Sequence, residues 1–117
     1  MSVSFTQILL TQSKLHRAIR ESIQSLNEPL RDKGLRLTDW PVERPGCLYA
    51  QSVTLEPREG GSELGECRFT IDWRGEVFFD ADDAPLVPCA PQQIEAEKLL
   101  GEFIARRLQP LKARSAA

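Results

Sequence analysis

Residues 65–74 constrain the fold more than any other stretch of the chain. Cys67, Phe69, Ile71 and Trp73 alternate with Arg68, Thr70, Asp72 and Arg74. A period of two is the pattern of a β-strand with one dry face and one wet face. Such a strand needs a sheet around it and a second layer over its dry side. Arg74-Gly75 marks a turn, and Glu76–Asp80 reads as the returning strand. Two registers are open. A three-residue loop, Trp73-Arg74-Gly75 with Gly75 left-handed, pairs Ile71 with Val77 and Phe69 with Phe79, and leaves Phe78 on the wet face. A two-residue loop pairs Ile71 with Phe78 and exposes Val77 and Phe79. Either register turns a phenylalanine away from the covered side.

Two amphipathic helices supply the covering layer. Ser4 and Gln7 have the form of a capping box, and Phe5, Ile8, Leu15, Ile19, Ile23, Leu26 and Leu30 recur at helical spacing. This predicts a helix over 4–28, ended or kinked by Pro29, with one further turn to Lys33 and a stop at Gly34. A second helix starts at Pro91, runs to about Leu108 and ends at Pro110. Its apolar face holds Ile94, Leu99, Leu100, Phe103, Ile104 and Leu108.

Between the helices, Leu35–Thr38 permits a short strand, and Trp40–Gly46 reads as a loop because two prolines and a glycine punctuate it. Residues 47–56 read as a strand with Cys47, Tyr49, Gln51, Val53 and Leu55 on one face. Leu48, Ala50, Ser52 and Thr54 take the other. Pro57–Ser62 is a hairpin loop, and the prolines of 85–91 predict an extended connection. The expected fold class is α+β: helix, antiparallel three- or four-stranded meander, helix, with both helices packed on one face of the sheet. The domain spans 1–111, and 112–117 reads as a flexible C-terminal tail. The core gathers Ile8, Leu15, Ile19, Ile23, Phe69, Ile71, Val77, Phe79, Leu100 and Ile104.

The chain of 117 residues has room for one core. Leu, Ile, Val and Phe number 31, about a quarter of it, above the usual range of disordered chains. No apolar run approaches a membrane span, and Met1–Phe5 lacks the pattern of a signal peptide. Cys47, Cys67 and Cys89 are odd in number and form no CxxC pair, so free thiols, no metal site and a cytoplasmic location are expected. No cofactor is expected.

Charge is uneven. Residues 1–34 and 90–117 each carry a net +2, and residues 35–89 carry −6. The acidic middle disfavours nucleic acid. The helix–strands–helix order resembles that of double-stranded-RNA-binding domains, which start their last helix with lysines. Here Gln92, Gln93, Glu95 and Glu97 stand at that place. Size and charge are similar to those of small acidic α+β secretion chaperones. No catalytic motif surrounds His16, the only histidine, and Asp80, Asp82 and Asp83 lack the glycine and distal glutamate of a calcium loop.

These features favour a non-enzymatic protein-binding module (an adaptor, inhibitor or dedicated chaperone) that forms a homodimer. Trp40, Arg68, Asp72, Trp73, Arg74 and Phe78 would make its partner surface. The alternative is a small-molecule-binding protein or small enzyme with a pocket between sheet and helices, lined by Tyr49, Gln51, Cys67 and His16. A buried Gln51 amide needs partners. Gln51 facing a cavity favours a ligand, and a flat aromatic-bearing open sheet favours a protein partner.

Overall fold

A computed structural model describes residues 4–116, with side chains to Leu108. The order is α1 (Phe5–Arg31), β1 (Leu35–Val42), β2 (Cys47–Pro57), β3 (Gly65–Asp72), β4 (Val77–Ala81), β5 (Ala84–Pro88) and α2 (Gln93–Ala116). The strands form one antiparallel meander in the order β1-β2-β3-β4-β5. The fold class is α+β, as the periodicities predict, with five strands instead of three or four.

The β3–β4 hairpin takes the three-residue loop. Ile71 pairs with Val77 and Phe69 with Phe79. Asp72 accepts hydrogen bonds from the Arg74 and Glu76 N–H groups, both at 2.9 Å, and Gly75 takes φ 83°. The Phe69 and Phe79 rings meet at 5.0 Å, tilted by 57°. Phe69, Ile71, Val77 and Phe79 then face inward with Leu37, Val53, Leu55, Cys67 and Ala81. Both helices cover this face: Leu15, Ala18, Ile19 and Ile23 of α1 and Ala96, Leu100, Phe103 and Ile104 of α2 join the same cluster. At the start of β3, α2 lays Arg107 so close over Gly65 that a side chain there would collide with the guanidinium. Phe5 and Ile94 are corrections to the predicted core faces, being 74% and 81% exposed, and Ile8 is only half-buried. They lie at the first turns of their helices, where the buried stripe has not yet begun.

Prolines mislead the boundaries in four places, and the sheet edges explain two of them. Trp40–Val42 belong to β1 and not to a loop, and Ala84–Pro88 pair with β4 and are not a free connection. Both are edge strands, where half the backbone donors point away from the neighbour and a proline there removes nothing from the ladder. Pro41 has the same parity as Leu37, whose N–H and C=O face away from β2. In the helices, a proline removes the bond its own nitrogen would make and crowds the preceding turn, which bends a helix without having to end it. The α1 helix continues through Pro29, whose residue face is exposed, because buried Leu30 anchors the last turn. Pro110 likewise falls within α2, which continues to Ala116 through the segment expected as a tail. A bulge between Cys47 and Tyr49 turns Cys47 to the outer face, opposite Asp72, against the alternation read for 47–56.

Both sheet edges carry features that oppose pairing with a further strand. The Asn27 side chain clamps β1: the Leu37 N–H donates to Oδ1 at 2.7 Å, and Nδ2 donates to the Leu37 C=O at 3.2 Å. One amide thus pairs both outward groups of one edge residue and joins α1 to the sheet. At the other edge Pro85 and Pro88 blunt β5. Replacing Asn27 by Ala leaves both groups of a 2% exposed residue unpaired. Asn27→Ala is expected to lower the unfolding free energy by about 1–3 kcal/mol, measured by urea denaturation.

Candidate functional site

The outer face of the sheet carries one apolar row. Val42, Ala50, Thr70, Phe78 and Pro88 are successive cross-strand partners, so they cross all five strands in line. Ala50 and Thr70 are buried floor residues, and Phe78 and Val42 are half-buried. Leu86, 57% exposed, and Cys47, half-buried, flank them. One cleft of about 540 Å³ opens along the row between Arg44, Cys47, Thr70, Trp73, Phe78 and Leu86. Another of about 420 Å³ lies by Val42, Arg44, Leu48 and Ala50.

The adjacent row is polar through Ser52, Arg68 and Asp80, with Trp40 at its β1 end. Arg68 reaches Glu66, Asp80 and Asp82 at 3.8, 3.8 and 3.6 Å, and Arg44 meets Asp80 at 2.7 Å. The face is therefore a lattice of ion pairs beside an apolar strip, rather than a flat aromatic surface. Asp80 and Asp82 turn to these arginines, and Asp83 pairs with Arg106 at 3.2 Å. The three carboxylates diverge.

Of the residues proposed for a partner surface, Arg68, Asp72, Trp73, Arg74 and Phe78 do gather on this face or its hairpin end. Asp72 is committed to the turn it caps, and Trp73 is 69% exposed. Trp40 lies away from them on the β1 edge and is 39% exposed. Val42, Cys47, Leu86 and Pro88 are missed by the sequence reading, because only strand register puts them in line with Phe78.

A second site lies on the inner face, where α1 crosses β1 and β2. Gln51, 1% exposed, stands in the otherwise apolar layer. Its nitrogen donates to Asp39, and its oxygen accepts from the Tyr49 hydroxyl and lies 3.3 Å from His16 Nδ1. Arg20 donates to the other Asp39 oxygen at 2.9 Å. Burial, with Asp39 adding, pushes the Tyr49 phenol above its ordinary value and keeps it a donor. These side chains border a cleft of about 490 Å³, together with Gln12, Ser13, Trp40 and Pro41. Gln51 thus borders a cavity, with its amide already engaged by Asp39, Tyr49 and His16. Cys67 is a correction: it lies fully buried between Val53 and Ala81 and does not reach that cleft. Local pattern does not reveal Asp39 and Arg20, because no periodicity in the chain links Asp39 to α1. No helix among the described residues is long and apolar enough to cross a membrane.

The three thiols differ in environment. Burial raises Cys67 far above the usual thiol range, and Glu66 adds to it. Burial, with Glu95 adding, pushes Cys89 up to about 12. Both folded values exceed the unfolded ones. Their contribution to stability is complete below the ordinary thiol value near 9 and is lost as pH rises toward about 12. The unfolding free energy is expected to fall over that range, and at pH 8 iodoacetamide should label Cys47 well before the other two, read by mass spectrometry.

Comparison of the chain with models of known protein families, with curated proteins and with solved structures finds no match.

Proposed function

We propose that the chain is a non-enzymatic protein-binding module, and that its partner docks on the outer face of the sheet. The observation that carries this reading is the unbroken row Val42–Ala50–Thr70–Phe78–Pro88 with Leu86 exposed beside it. A row of this kind costs solvation in an isolated chain and gains it back under a partner. Small side chains in the floor and large ones at the walls suit an inserted apolar side chain. The Leu37 clamp and the edge prolines oppose strand addition and favour association through this face.

The fringe selects the chemistry of the partner. Glu43, Glu66, Asp72, Glu76, Asp80 and Asp82 outnumber Arg44, Arg68 and Arg74 around the row, and the whole segment 35–89 carries −6. An apolar segment flanked by basic residues fits that potential. A second copy of the chain is the other occupant, and the same measurement separates the two.

Light scattering behind size exclusion, on the chain alone and with an extract of its native cells, tests the reading. Wild-type chain is expected to form a discrete heavier complex with the extract. Phe78→Asp and Leu86→Asp should each lose it with unchanged far-UV circular dichroism, a loss of about 2 kcal/mol or roughly 30-fold in affinity for an aromatic anchor. A heavier species of the chain alone that Phe78→Asp dissolves would assign the face to a homodimer. Complexes unchanged in both variants, or no complex at all, would overturn the reading.

A further inference from the structure

A buried amide in a layer of Leu, Val, Phe and Ile is a poor choice for stability alone, because an apolar side chain of similar volume fills such a place at least as well. What the Gln51 network does is orient His16. The Asp39 carboxylate only accepts, so the Gln51 nitrogen faces it and the amide oxygen faces the other way. That oxygen also only accepts, so both the Tyr49 hydroxyl and His16 Nδ1–H donate to it. A neutral His16 therefore carries its lone pair on Nε2, which has no protein partner among the described residues. Arg20 lies one helical turn further along α1, on the same face, about 5–6 Å away between Cβ atoms. One of its nitrogens is held by Asp39, and the rest of a side chain that is 62% exposed remains open. The cleft that both residues line has the volume of a small-molecule site.

We infer that this cleft is a second, independent binding site, for small aromatic carboxylates that bear a hydroxyl group across the ring from the carboxylate. The carboxylate would meet the free guanidinium donors of Arg20. The hydroxyl would donate to His16 Nε2, one helical turn away. The ring would fill the space between α1 and the Pro41–Tyr49 wall. Asp39 and Gln51 act as positioning residues that set the guanidinium and the imidazole tautomer. The site is separate from the outer face, so it stands or falls apart from the protein-binding reading.

The test is a titration of isotope-labelled full-length chain with 4-hydroxybenzoate, followed by amide nuclear magnetic resonance. Shifts are expected to concentrate at residues 12–20, 39–41 and 49–51. Benzoate, which lacks the donor, and phenol, which lacks the charge, should each bind about tenfold more weakly. His16→Ala, at an exposed helix position, should weaken 4-hydroxybenzoate about tenfold and abolish its advantage over benzoate. Gln51→Glu presents a carboxylate to Asp39 and should fail to preserve binding, and if it does not fold, the His16→Ala comparison still decides. Absence of shifts at millimolar probe, shifts elsewhere, or equal binding of the three probes would overturn the inference.

Discussion

The register of the β3–β4 hairpin is the constraint on which the other features depend. With Ile71 opposite Val77 and Phe69 opposite Phe79, one face of the sheet collects the residues that α1 and α2 bury. A slip by one residue would send Phe79 and Val77 to the outside and bring Phe78 in. Gly75 at φ 83° and the Asp72 carboxylate, which holds two N–H groups of the turn, resist that slip locally. The contact of the Phe69 and Phe79 rings resists it through burial. The same register aligns Phe78 with Thr70 and Pro88 and so builds the outer row.

Closing the two sheet edges has consequences beyond stability. An uncovered edge strand invites pairing with any extended chain. Here the Asn27 amide occupies both outward groups of Leu37, and prolines interrupt the edges of β1 and β5. The faces therefore remain as the surfaces for recognition. The helices cover one of them. The other holds the apolar row and the arginine–carboxylate lattice, whose exposed pairs contribute little to stability individually. Their effect is to keep the face acidic while placing each charge beside the row, not on it.

The inner face shows the reverse arrangement. Polar side chains are drawn into an apolar layer, and each one's partner is itself constrained: Asp39 by Arg20, Gln51 by Asp39, His16 and Tyr49 by Gln51. A network of this kind loses more from one missing member than from complete replacement by apolar groups. It ties the middle of α1 to β1 and β2, where Asn27 ties its end. Helix α1 is thereby held to the sheet by two polar clamps in addition to its buried stripe.

Periodicity in the chain determined the two helices, the central strands and the inward face of Cys67, Phe69 and Ile71, because each depends on neighbours two to four residues apart, whereas the choice of Phe78 over Phe79 as the outward ring was made by the register of the hairpin. The buried Gln51 was legible for the same reason, as a polar residue on an apolar strand face. The edge strands were not legible. Whether a proline breaks a strand depends on whether its nitrogen points toward a neighbour, which only sheet order decides. The Cys47 bulge, the Asn27 clamp and the Arg20–Asp39–Gln51–His16 chain were also decided by tertiary structure. They join residues 10 to 35 positions apart through side chains whose partners are set by the crossing of α1 over the sheet, and no local pattern records that crossing.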